Sequence, residues 1–227
     1  MRFLEHRIKD PVFLRIIKRF LKAGVMEDGA LSSSDTGTPQ GGLVSPVLAN
    51  IYLHYVLDVW FERRFAGTCE GRARLIRYAD DYVACFTHES EAKRFMAEMM
   101  ERLAKFGLEV EPSKTALLRF GNRAARACRQ EGVKRPPTFN FLGFTHYVGK
   151  SRKGRFMVGR KTQRERIAKK LKEVSLRLAT LRSQGGKAMM LYAKRHLSGH
   201  VAYYAVSGNA RQILTTLIES AVCCSNG

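Results

Sequence analysis

Residues 75–86 read Leu-Ile-Arg-Tyr-Ala-Asp-Asp-Tyr-Val-Ala-Cys-Phe. Two β-prone runs meet at adjacent carboxylates, Asp80 and Asp81, which confines this stretch to a hairpin with acid at its tip. Charge at the end of an apolar hairpin is costly unless it holds a cation, so the tip is the chain's first candidate for metal-ion chemistry. Asp is also an ordinary turn residue, and on the hairpin alone the two readings stand level.

The charge distribution narrows the choice of partner. Residues 1–118 carry 17 Lys/Arg against 16 Asp/Glu, whereas residues 119–227 carry 23 against 4. A solvated face mixes signs, and the second half does not, which favours a polyanion. Nucleic acid fits better than a membrane surface, because no basic helix here opposes a face of Trp and Phe. No apolar run approaches a membrane span, and the N-terminus does not read as a signal peptide. Five scattered cysteines lack C-x-x-C spacing, which suits a reduced, cytoplasmic protein. No two histidines are expected at ligand spacing within one helix, and no Ser/His/Asp or Cys/His nucleophile arrangement is evident.

The remaining pattern alternates helices and hairpins up to about residue 160, then turns helical. Asp10-Pro11 reads as the cap and first turn of a helix with Phe13, Ile16, Ile17, Phe20 and Leu21 on one face, ended by Gly24. Asp28-Gly29 marks a hairpin turn. Ser45-Pro46 opens a helix that should bury Leu48, Ile51, Tyr52, Tyr55, Val59 and Trp60. A helix over 89–106 should place Phe95, Met99, Leu103 and Phe106 inward and stop at Gly107. Short strands are expected at 108–110 and 115–118, a basic surface loop at 119–138, and a strand at 139–144. A helix from 162 to 182, with Ile167, Leu171, Val174, Leu178 and Leu181 inward, breaks at Gly185-Gly186. A second helix starts near Lys187 and is interrupted at Gly199.

Two further segments flank the acidic hairpin. Upstream lies Gly37-Thr38-Pro39-Gln40-Gly41-Gly42-Leu43-Val44-Ser45-Pro46, and downstream Phe139-Asn140-Phe141-Leu142-Gly143-Phe144. Paired glycines before a helix start let backbone and unpaired N–H groups approach a ligand, although in isolation the segment reads as a loop entering a capped helix. In this order, and with Val47 to His54 and Gly149 to Arg155 beside them, the three motifs resemble the reverse transcriptases encoded by mobile group II introns. The resemblance runs from Met1 to about Arg211.

That resemblance implies an α+β fold: a reverse-transcriptase palm, an antiparallel sheet with packed helices, over residues 1–160, then part of a helical thumb (maturase domain X) over 161–227. It implies RNA-directed DNA polymerisation by magnesium-dependent nucleotidyl transfer, with intron RNA as binding partner and template, a DNA primer and dNTP as substrates, and no membrane. Asp80 would be the principal metal ligand and Asp81 the secondary one, both catalytic, with Tyr78 near the primer terminus. Successive strand residues point to opposite faces, so the two carboxylates should not be equivalent. Pro39, Gln40, Gly41 and Gly42 would lie under the templating base pair and incoming nucleotide. Lys114 would approach a phosphate, and Leu142 and Gly143 belong to the primer-grip strand. Phe141 and His146 are expected to be structural. Lys150, Arg152, Lys153, Arg155, Arg160, Lys161, Arg164, Arg166, Lys169 and Lys170 would hold RNA phosphates.

The family's two-ion site also uses an aspartate from an opening palm strand, which has no convincing counterpart among Glu5, Asp10, Glu27, Asp28 and Asp35. The fingers and that strand are therefore expected to be missing, leaving this chain inactive alone: one piece of a split enzyme completed by a separate N-terminal fragment, a mis-started reading frame or a degraded remnant. The alternative is a non-catalytic, maturase-like RNA-binding module that assists intron splicing.

Overall fold

The computed structural model describes residues 1–22, 25–27, 30–32 and 44–216. The fold is α+β, with small antiparallel sheets among helices, in two compact units, Met1–Leu117 and Leu118–Gly227. No described helix is long and apolar enough to cross a membrane.

The first unit opens with helices α1 (Arg2–Glu5) and α2 (Pro11–Lys22). Asp10 caps α2 as expected: its Oδ1 accepts from the amides of Val12 and Phe13 at 2.8 and 3.2 Å. The inward face is narrower than the periodicity suggests, because only Ile17 is buried while Phe13, Ile16 and Phe20 are exposed. Strands β1 (Val25–Glu27) and β2 (Ala30–Ser32) pair antiparallel. The turn expected between them at Asp28-Gly29, and the stop at Gly24, lie outside the described residues.

Helix α3 (Ser45–Leu53) does not remain α-helical. It runs on through π-helical turns at His54–Asp58 and Phe61–Phe65 and a 3₁₀ turn at Ala66–Thr68. Each wide turn inserts a residue and rotates the apolar face. The residues expected inside, from Leu48 to Trp60, are consequently only half-buried, and Val56, Leu57, Phe61 and Phe65 fill the core instead. These four pack with Phe95, Met99 and Leu103 of α4 (Glu89–Lys105), the buried positions foreseen from helical spacing. Gly107, at φ +68°, ends α4: its amide bonds to Ala104 and that of Leu108 to Leu103, a Schellman arrangement. The strands expected at 108–110 and 115–118 are absent among the described residues. Glu111 instead caps a 3₁₀ turn at Pro112–Lys114 by accepting from the Ser113 amide and hydroxyl.

The core is roofed by strands β3 (Ala73–Tyr78) and β4 (Asp81–Phe86), paired from Ala73↔Phe86 to Tyr78↔Asp81. Ala73, Leu75, Tyr82, Ala84 and Phe86 face α4 and the π turns. Among the described residues no further strand pairs with either outer edge.

The second unit contains helix α5 (Asn122–Gln130), where a surface loop was expected. Gly121 (φ +101°) and Gly132 (φ +70°) bracket it, and those breakers and the charge hid a run of good helix formers, Ala, Arg and Gln. Strands β5 (Phe139–Phe141), β6 (Phe144–Lys150) and β7 (Phe156–Thr162) form an antiparallel sheet. The strand expected over 139–144 is thus two strands joined at Leu142-Gly143. Helices α6 (Arg164–Leu181) and α7 (Gly186–Tyr204) form a hairpin turned at Gly185 (φ +85°). Val174, Leu178 and Leu181 are buried as the periodicity requires, while Ile167 and Leu171 are half-buried. Asn209, fully buried, ties the end of β7 to the loop after α7. Its Oδ1 accepts from the Thr162 amide at 2.9 Å, and its Nδ2 donates to Thr162 Oγ1 and the Tyr204 carbonyl at 2.8 and 2.9 Å.

Gly199 does not interrupt α7, since one glycine inside a packed helix costs only about 1 kcal/mol. One consequence is a correction: His196 and His200 share this helix four residues apart, rings 6.5 Å apart, between Tyr192 and Tyr204. Burial lowers the proton affinity of His200, and His196 adds to it. Burial likewise lowers that of His146, stacked on Phe139, with Arg160 nearby. Such groups bind protons more readily in the unfolded chain. Well above pH 6.5 neither state is protonated; as pH falls toward and below it the unfolded state gains protons first, so stability falls. The urea midpoint followed by helix ellipticity should therefore drop between about pH 7.5 and pH 5, and His200→Gln should flatten the dependence. An identical pH dependence in His200→Gln would contradict the assignment.

Candidate functional site

The acidic hairpin turns through two residues, Ala79 and Asp80, between the paired Tyr78 and Asp81. Ala79 has φ +55°, a left-handed conformation that a two-residue hairpin normally gives to glycine. Asp80 is thus a turn residue and Asp81 the first of β4, so their inequivalence arises from the turn rather than from strand alternation. Both are exposed, and among the described residues neither carboxylate accepts a hydrogen bond or an ion pair. Tyr78, 66% exposed, flanks them.

Backbone strain at Ala79 persists because something holds it. Arg77, whose side chain is 9% exposed, donates from Nη1 to the Ala79 carbonyl at 2.7 Å and to Asn50 Oδ1 at 2.9 Å. Its Nε and Nη2 fork onto Asp58 Oδ1 and Oδ2 at 2.8 and 2.6 Å. The Asp58 carboxylate makes Arg77 hold its proton still more firmly. A second contact reaches Asp58 from His54 Nδ1 at 3.5 Å. The π turn that carries Asp58 therefore anchors the acidic tip through one guanidinium. Sequence reading missed this group, although a signal exists: Arg77 occupies an inward strand position beside Ala73 and Leu75, where a charge needs a partner.

The exposed carboxylates suit a hard divalent cation in kind. They fall short in number, for among the described residues no cluster of three or more His, Cys, Asp or Glu side chains could hold a metal. Pro39, Gln40, Gly41 and Gly42 lie outside the described residues. Lys114 is exposed at the end of its 3₁₀ turn.

In the second unit Leu142 and Gly143 form a turn with φ of +49° and +80°, the leucine strained and the glycine at ease there. The Tyr203 hydroxyl donates to the Leu142 carbonyl at 3.1 Å, and the Gln163 amide to that of Gly143 at 3.1 Å. A Cβ on Gly143 would come 3.0 Å from Tyr204 Oη and 3.3 Å from Arg166 Nη1. The turn is thus seated where α6 begins and α7 ends, with Arg166 beside it. The ten basic residues are divided between two elements. Lys150, Arg152, Lys153, Arg155, Arg160 and Lys161 lie on the β6–β7 hairpin, whereas Arg164, Arg166, Lys169 and Lys170 lie on α6, all exposed. Lys170 pairs with Glu173 at 3.0 Å. Phe141 and His146 are half-buried in the sheet.

Residues 2–146 match the family described as reverse transcriptase (RNA-dependent DNA polymerase). An uncharacterized 91 kDa protein in the cob intron of Schizosaccharomyces pombe is 25% identical across 77% of this chain and 28% of its own length. The group II intron-encoded protein LtrA of Lactococcus lactis subsp. cremoris is 52% identical over 48 residues, 21% of this chain and 8% of that protein. A putative COX1/OXI3 intron 2 protein of Saccharomyces cerevisiae is 38% identical over 27% of this chain and 7% of its own length. The chain spans less than a third of the length of these curated relatives.

Proposed function

Because this chain belongs to the reverse transcriptase (RNA-dependent DNA polymerase) family, in its group II intron-encoded branch, we propose that it forms part of an RNA-directed DNA polymerase whose catalytic carboxylates are Asp80 and Asp81. The observation that carries the reading is the hairpin tip: two exposed acids on a strained turn, held by a half-buried Arg–Asp fork. Magnesium bound there would activate a primer 3′-hydroxyl and stabilise departing pyrophosphate. The chain's own residues supply position. Arg77 fixes the turn, the exposed Tyr78 ring lies beside the primer terminus, and Pro39, Gln40, Gly41 and Gly42 support the incoming dNTP. Leu142 and Gly143, with Arg166 beside them, hold primer backbone. Residues 1–160 then serve as partial palm and 161–227 as partial thumb.

Among the described residues two carboxylates are too few for two ions and no other strand occupies the outer edges of β3–β4, so a third carboxylate would come from a strand pairing there, supplied by a separate fragment. Extension of a DNA primer on an RNA template, with magnesium, should then require an added fragment of fingers and first palm strand. Extension by the chain alone would show that the residues present complete the site. Absence of extension by a folded mixture would remove the polymerase reading.

The charge imbalance, 23 basic against 4 acidic residues after 118, favours a second reading: a maturase-like module binding intron RNA without polymerising. Salt-sensitive RNA binding that survives Asp80→Ala, in a protein that never extends a primer, would select it.

A further inference from the structure

Helix α5 lies in the stretch that the sequence suggested was a loop, and with β6 and β7 it walls a groove of about 910 Å³ within the second unit. Seven basic residues and no acidic one line it. Arg126 and Arg129 come from α5, Lys150 and Lys161 from the sheet, and Arg211 from the segment after α7. Among the described residues none of these five pairs with a carboxylate. Like charges gathered without counter-ions repel one another, and the arrangement is relieved by a polyanion.

The groove also presents rings. Phe156 is 42% exposed at the start of β7, opposite Lys150. Tyr147 lies across Gly159, its cross-strand partner, so closely that a Cβ there would come within 2.3 Å of the ring. Lys161 Nζ stands 6.0 Å from the Tyr147 ring centre. A basic channel with aromatic surface in its lining is the arrangement that holds single strands, phosphates on the cations and bases against the rings. A duplex, whose bases are stacked within, would use the charges alone.

We propose that this groove is a binding site for a single-stranded RNA segment, separate from the acidic hairpin. The proposal rests on the reading that the chain handles RNA, but it needs no polymerisation, so the test is made by binding in the Asp80→Asn background. The probe is a short fluorescein-labelled oligouridylate followed by anisotropy, with folding checked by helix ellipticity. Arg126→Gln with Arg129→Gln should weaken binding and reduce the slope of log affinity against log salt by about 1.4, the loss of two single-strand phosphate contacts. Phe156→Ala should weaken it about tenfold with the salt slope unchanged. Lys187→Gln with Lys194→Gln, on α7 and outside the groove, should leave the slope at the parent value. An RNA duplex should compete poorly. Unchanged affinity in the α5 double variant, no effect of Phe156→Ala, or equal competition by duplex would each overturn the assignment. A protein that shows these binding effects yet never extends a primer would refute the polymerase reading and leave the groove standing.

Discussion

Replacing Phe65 by alanine is expected to cost the first unit about 3–5 kcal/mol, the range for deleting a buried aromatic ring. Phe65 is 2% exposed and its ring centre lies 5.2–6.0 Å from those of Trp60, Phe61, Phe86 and Phe95. Arg94 covers another side at 4.9 Å. No single neighbour is placed to collapse into the void, because α4, the π turns and β4 all converge on this ring. Trp60 is the chain's only tryptophan, so its fluorescence during urea unfolding reports this unit. Phe65→Leu, which keeps most of the volume, should cost well under half as much. A loss below about 1 kcal/mol in Phe65→Ala would mean that the aromatic cluster does not pack as described.

Arg77→Ala should cost about 2–3 kcal/mol by the same probe, since it removes four donated bonds and leaves the Asp58 carboxylate without its main partner. Arg77→Lys should recover little, because an ammonium cannot reproduce a planar fork onto Asp58 while reaching Asn50 and the Ala79 carbonyl. Combining Arg77→Met with Asp58→Leu should restore part of the loss, since no charge is then stranded. The double variant should still lack a firmly held turn, so stability and hairpin function separate. Parent-like stability in Arg77→Lys would show that charge alone, not the fork, supports the tip.

Much of this arrangement is legible in the residues. Asp10 and Gly107 announce the ends of α2 and α4, and the spacing of Phe95, Met99 and Leu103 defines the face that α4 buries. The hairpin at Asp80-Asp81 follows from β-prone runs on either side of turn-forming acid. What stayed hidden has physical causes. Periodicity assumes 3.6 residues per turn, so the π turns at His54–Asp58 and Phe61–Phe65 displaced the expected core by about one residue and concealed the placement of Asp58 against Arg77. Charge and flanking glycines disguised α5, and with it the groove. Gly199 looked like a break because propensity was weighed without the packing that overrides it. For the candidate site, the acids and the basic residues were readable by type, and Leu142-Gly143 only through the family resemblance. Their supports, Arg77 beneath one turn and Tyr203 beside the other, are tertiary contacts that local pattern does not carry.

The central claim is that Asp80 acts directly in nucleotidyl transfer while contributing little to folding. The decisive measurement is the rate of single-nucleotide addition to a DNA primer on an RNA template, in the chain supplemented with the first-strand fragment, comparing parent and Asp80→Asn. Asp80 is exposed and has no partner among the described residues, so Trp60-monitored stability should match the parent. The rate should nevertheless fall by about 10²–10³-fold, as when one preorganised charge-stabilising group is removed. A rate within about threefold of the parent, at equal stability, would contradict the claim and leave the acidic tip an ordinary turn.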